Sequence, residues 1–82
     1  MIDTVISKTT GKEYKPSECI RIINMKQIAF YYFNDIEILD FFGSKDFKTG
    51  EPVMVAIFNK KDSYKAYEKW MKLNEKKYFK IN

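Results

Sequence analysis

Five lysines in the C-terminal third, Lys61, Lys65, Lys69, Lys72 and Lys76, are separated by three or four residues each. At about 100° per residue they fall within roughly 80° of one another on a helix. Ammonium groups gathered on one face attract phosphates or an acidic protein surface. The alternative is a solvated helix face, with Glu68 supporting Lys72 one turn further on. Aromatic residues are interleaved with these lysines in NKKDSYKAYEKWMKLNEKKYFK, residues 59–80. On the same projection Ser63, Tyr64, Ala66, Tyr67, Trp70, Met71 and Leu73 fall on the other arc. That separation predicts core residues rather than a platform for stacked bases.

Few other residues have the makings of chemistry. There is no histidine, which removes the usual general base and the commonest zinc ligand. Cys19 is the one cysteine, so neither an internal disulfide nor a cysteine zinc site is possible. As a nucleophile it lacks an imidazole partner, and a small strand hydrophobe is the expected role. TTGKEY, residues 9–14, has the Gly-Lys of a phosphate-binding loop. The motif also needs glycine at position 6 and serine or threonine at 13, where Ile6 and Glu13 stand. Asp35, Glu37 and Asp40 cluster loosely. On a strand Asp40 shares a face with Ile36, Ile38 and Phe42, so it must be hydrogen-bonded, at a bulge or edge, or functional. These residues predict no enzyme, no metal and no cofactor.

The elements that would position these residues are legible in outline. TVIS, residues 4–7, reads as a short strand, followed by a polar loop with Gly11 and Pro16. CIRIIN, residues 19–24, alternates and is rich in isoleucine, as a strand does. Asn24 with Gln27 three residues later resembles a capping box and predicts a short, well-buried helix from Met25. IEILDFF, residues 36–42, reads as a strand, and GSKDFKTGEP turns the chain into the strand PVMVAIFN, as a hairpin. Asn59 and Asp62 then mark the start of the lysine-bearing helix. PVMVAIFN is apolar on both faces. Two short helices cover one face of a small sheet, so the other is either left for a partner or a second copy, or covered by the N-terminal segment or the tail KKYFKIN.

Composition narrows the class. The 82 residues are 45% apolar and 17% aromatic, which argues against disorder and fits one domain. The longest apolar runs, IAFYYF and VMVAIF, are far short of the ~20 residues that span a bilayer. With no signal-like N-terminus and one thiol, a soluble, cytoplasmic protein is expected. Fourteen of the fifteen basic residues are lysine, and Ile, Asn, Tyr and Phe are abundant. Their codons are AT-rich, pointing to a low-GC bacterium or its phage, and that bias accounts for part of the lysine content. Charge is uneven: residues 1–58 carry seven bases and eight acids, residues 59–82 eight lysines and three acids. Such asymmetry points towards an anionic partner.

From about Cys19 to Met71 the order CIRIIN, QIAFYYFND, IEILDFF, PVMVAIFNKKDSYKAYEKW resembles a group of short uncharacterised proteins. They are common in low-GC Firmicutes, in prophages and mobile elements. The matching features are Gln27 at the start of an aromatic helix, a strand ending in Phe58-Asn59, and the Tyr67 to Trp70 end of the last helix. The resemblance implies a fold and a genomic setting, not an activity.

The expectation is therefore a small single α+β domain, with a three- to four-stranded, mostly antiparallel sheet packed against two helices. Its expected function is non-enzymatic: a phage protein that binds a host protein, as an anti-CRISPR-like inhibitor of a defence system, with the lysine stripe steering it. The alternative is direct nucleic-acid binding through Lys61, Lys65, Lys69, Lys72 and Lys76. A homodimer is a third possibility. A membrane partner is not expected.

Overall fold

The computed structural model describes residues 3–81, with side chains through residue 73. The chain begins with a small antiparallel hairpin, β1 (Val5–Ile6) and β2 (Glu13–Tyr14). A 3-10 turn, Pro16–Glu18, leads into β3 (Cys19–Ile22). Helix α1 (Met25–Phe33), β4 (Asp40–Lys45), β5 (Pro52–Asn59) and helix α2 (Lys60–Ile81) follow. The last three strands form an antiparallel sheet in the order β3-β5-β4. This is a small α+β fold. The N-terminal strands stand apart in their own two-stranded sheet, so the polar loop expected there is interrupted by β2 and the 3-10 turn.

β5 takes the centre because it is the strand with apolar residues on both faces. Val55, Ala56, Ile57 and Phe58 are all buried. Ala56 and Phe58 face the helices together with Ile20, Ile22 and Phe41, against Ile28, Tyr31 and Ala66. Tyr31 meets Phe58 edge to face, ring centroids 5.0 Å apart. Such aromatic pairs add about 1 kcal/mol beyond their buried area.

The N-terminal hairpin is tied to the other face of the sheet, as one of the expected alternatives has it, while the side chains of the tail KKYFKIN lie outside the described residues. Asp40 lies opposite Ile57 on that face. Its carboxylate accepts the Ser7 hydroxyl at 2.6 Å, the Tyr14 hydroxyl at 2.5 Å and the Phe41 N–H at 2.9 Å. Thr9 and Thr10 hydroxyls donate to the carbonyls of Phe41 and Leu39, both at 2.7 Å. Lys12 pairs with Glu37 at 3.0 Å. The turn at residues 7–12 is thus tied to residues 37–41.

Helix α1 begins where Asn24 marks it. The Asn24 Oδ1 accepts the N–H groups of Lys26 and Gln27. Gln27 does not close a reciprocal box; its amide donates to the Tyr31 hydroxyl at 3.1 Å. The helix is less buried than its sequence suggests. Ile28 and Tyr31 are inside, whereas Tyr32 and Phe33 are exposed. A single sheet face covers one stripe of a helix, so an all-round apolar run must leave some of itself outside. At the far end Asp35 adopts φ 63°, with its N–H on the Tyr32 carbonyl and the Ile36 N–H on the Tyr31 carbonyl. This left-handed cap ends α1.

That cap also displaces the strand expected at residues 36–42. Residues 36–39 carry the chain away from the cap, with Ile36 and Ile38 against the core, and β4 starts at Asp40. Gly43, Ser44 and Lys45, read as a turn, are strand residues. The actual turn is tightened by Asp46, whose Oδ1 accepts from the N–H groups of Lys48 and Thr49, and by Gly50 at φ 74°. No helix among the described residues is long and apolar enough to cross a membrane.

Candidate docking face on α2 and the β3 edge

Helix α2 follows β5 directly. The Asn59 Oδ1 accepts the Asp62 N–H at 3.0 Å, and Asp62 places a negative charge in the first turn. Both favour the N-terminus of a helix. Ser63 is fully buried and donates its hydroxyl to the Asn59 carbonyl at 2.8 Å. Ala66, one turn on, is also buried. These two small side chains bring the helix backbone close to the sheet. Trp70 closes the seam, its ring centroid 5.6 Å from that of Phe30.

The seam is narrower than the apolar arc of the sequence. Tyr64, Tyr67 and Met71 are 59%, 44% and 44% exposed, and Leu73 is exposed too. They were expected in the core. A three-stranded sheet supplies too little surface to cover them once Ser63, Ala66 and Trp70 have docked. Tyr64, Tyr67 and Met71 instead form a ridge on one flank of the helix, within roughly 60° of one another at the helical repeat.

Lys61, Lys65, Lys69 and Lys72 are all exposed, on the outward side of α2. Lys76 falls on the α2 backbone, but its side chain lies outside the described residues. Glu68 makes no ion pair with Lys72; among the described residues the ion pair is Lys12–Glu37. Lys61, Lys65, Lys69 and Lys72 therefore stand together as a face, with the Tyr64–Tyr67–Met71 ridge beyond Glu68.

On its inner side the ridge borders β3. A groove of about 330 Å³ runs between β3 and the first two turns of α2. Ile20 and Ile22 form its floor, Tyr64 and Tyr67 its wall, with Gln27 and Lys60 at the rim. A wider, more open depression of about 710 Å³ lies between the end of α1, residues 35–38 and the N-terminal turn. The Lys12–Glu37 pair and Asp35 make its lining mixed in charge.

The remaining reactive groups have structural surroundings. Burial pushes the Asp40 carboxyl up, but the bonds from Ser7, Tyr14 and Phe41 outweigh it and hold it below its ordinary 3.8. Burial, then the bond to Asp40, pushes the Tyr14 phenol up to about 12. Burial, with Glu18 and Asp3 nearby, pushes the Cys19 thiol above 9.0, so it is protonated at neutral pH. Among the described residues no three His, Cys, Asp or Glu side chains are grouped to hold a metal.

No family model, curated protein or solved structure matches this chain. The face must be argued from its own residues. The lysines were visible as a stripe in the sequence. The groove was not, because nothing in CIRI says that β3 is an edge strand, and Tyr64 and Tyr67 read as core.

Proposed function

We propose that this is a non-enzymatic binding protein that engages a protein partner through the ridge of α2. The carrying observation is the exposure of Tyr64, Tyr67 and Met71 as one ridge beside the lysine face. Tyrosine and methionine are enriched in the buried centres of protein interfaces, and lysine is depleted there. Rim charges of one sign steer an oppositely charged partner. The resemblance to short Firmicutes phage and mobile-element proteins supplies the setting: a host protein as partner, and inhibition of a defence system such as CRISPR–Cas as the role.

Direct nucleic-acid binding is the second reading, favoured by the shared face of Lys61, Lys65, Lys69 and Lys72. Two observations weigh against it. The aromatic ridge borders an apolar groove instead of interleaving with the lysines, as a stacking platform would. The one arginine, the residue type that reads bases best, is occupied: Arg21 donates to Ser44 at 3.0 Å and lies 4.9 Å from the Phe47 ring centre.

Affinity capture from a low-GC Firmicute host, with and without nuclease, tests the proposal. The wild type is expected to retain a host protein that Tyr64→Glu/Tyr67→Glu loses and nuclease leaves in place. Identical captures by both proteins, or loss on nuclease treatment, contradict it.

A further inference from the structure

We infer that the open edge of β3 accepts an extended segment of a protein partner as an added strand. Alternate apolar side chains of that segment would fill the groove between β3 and α2, and acidic residues would flank them. The inference rests on the protein-binding reading above and gives the partner's chemistry.

The two edges of the three-stranded sheet are treated differently. β4 is covered near its start, where Thr9 and Thr10 donate to the carbonyls of Phe41 and Leu39. Among the described residues β3 has β5 on one side and no strand on the other. Beyond the ladder to β5, its one backbone bond among the described residues is at its first residue, from the Cys19 N–H to the Pro16 carbonyl. Unpaired edges of this kind are ordinarily blunted by proline, by a bulge or by an outward charge. Residues 19–22 contain no proline, and their single charge, Arg21, is drawn back across the sheet to Ser44 and Phe47.

The groove matches what an added strand presents. Side chains of a strand alternate between faces, so every second residue of the newcomer would lie on the side of Ile20 and Ile22. There it meets an apolar floor and the tyrosine wall, the arrangement in which main-chain bonds give affinity and alternate pockets give specificity. The four residues of β3 span about 13 Å, and alternate residues aim their backbone groups at the open edge.

Charge selects the occupant. Lys60 lines the groove, and Lys60 with Lys61 stands beside Glu18 where β3 begins. Where β3 begins, Lys60 and Lys61 are balanced by Glu18 and Asp3, so the preference for an acidic segment rests on Lys60, the charged residue lining the groove itself. A second copy of the chain would offer β3 the segment CIRI, whose one charge is basic, and so brings no acid to Lys60. An acidic extended segment relieves that charge.

The probe is a labelled peptide of alternating valine and glutamate, titrated into the ¹⁵N-labelled 82-residue protein. Two controls accompany it, one alternating valine with lysine and one glycine with glutamate. The expected result is movement of the Ile20–Ile22, Tyr64 and Tyr67 amide signals, with both controls weaker by about tenfold or more. Tyr64→Lys/Tyr67→Lys, at exposed positions and with circular dichroism confirming the fold, is expected to lose binding by a similar factor.

The inference is overturned if the valine–glutamate peptide moves only the signals of residues 61–72, or none. It is also overturned if β3 already pairs in a dimer of the free protein, or if single-stranded DNA, and not the peptide, moves β3. Host-protein capture that depends on Tyr64 and Tyr67, with β3 untouched by the peptide, removes strand addition alone. Loss of capture removes the protein-binding reading itself.

Discussion

The Tyr14 hydroxyl and the Asp40 carboxylate, 26 residues apart in the chain, are joined by a 2.5 Å hydrogen bond. Ser7 holds the other carboxylate oxygen. Together they fasten the two-stranded hairpin to the sheet face that carries Asp40 and Ile57. A buried carboxylate on an apolar strand face is therefore fully hydrogen-bonded and acts as a clasp of the fold.

Removing the clasp has a defined cost. Asp40→Ala leaves Ser7, Tyr14 and the Phe41 N–H without their acceptor and is expected to destabilise by about 3 kcal/mol. Tyr14→Phe removes one bond to a charged acceptor and is expected to cost about 1.5 kcal/mol. Urea unfolding of the two single mutants and the double mutant measures the coupling. Strictly additive losses would mean that the hairpin is held by something else.

The clasp also predicts two pH limits. The folded Asp40 carboxyl lies below 3.8, so its contribution is present above that pH and fades as pH falls through the folded value. The folded Tyr14 phenol lies above its ordinary 10.0, at about 12. Its contribution is intact below pH 10 and is lost as pH rises from there towards about 12. Thermal unfolding across pH should show both flanks. Asp40→Asn is expected to flatten the acid one, and an unchanged acid flank in that variant would contradict the assignment.

Asp35 closes α1 in a left-handed conformation, which costs an L-residue about 1–2 kcal/mol relative to glycine. The asparagine-like side chain recovers part of this, so Asp35→Gly is expected to stabilise by about 0.5–1 kcal/mol. Asp35→Val should destabilise, since a β-branched residue suits that conformation poorly. Chemical denaturation orders the three proteins.

Two aromatic truncations separate core from surface. Phe58 is fully buried between sheet and helices, and Phe58→Ala is expected to cost about 3–5 kcal/mol. Tyr67 is half outside, and Tyr67→Ser should cost less than about 1 kcal/mol while leaving the fold unchanged. A large loss at Tyr67 would place it in the core after all and remove the docking ridge.

Local signals carried most of the fold. Asn24 marked a helix start, the apolar run PVMVAIFN marked a strand, and the period of α2 separated the lysine face from the seam. What failed was non-local. Ile36 and Ile38 looked like strand residues, because alternation does not reveal that a left-handed cap at Asp35 must be cleared first. Tyr64, Tyr67 and Met71 looked like core, because periodicity tells which way a side chain points and not how wide the opposing surface is. Asp40 was noticed as misplaced, yet its partners Ser7 and Tyr14 lie in a stretch read as strand end and loop. The candidate site inherits this division: Lys61, Lys65, Lys69 and Lys72 were legible, and the groove of Ile20 and Ile22 depended on β3 falling at an edge.

A photo-reactive amino acid placed at Tyr67 tests the docking face most directly, with Phe47, exposed elsewhere on the surface, as the control position. Irradiation in host lysate is expected to give a discrete protein adduct from position 67 that survives nuclease and is absent from position 47. Adducts that match at both positions, or that vanish with nuclease, would contradict a protein-binding role for the α2 ridge.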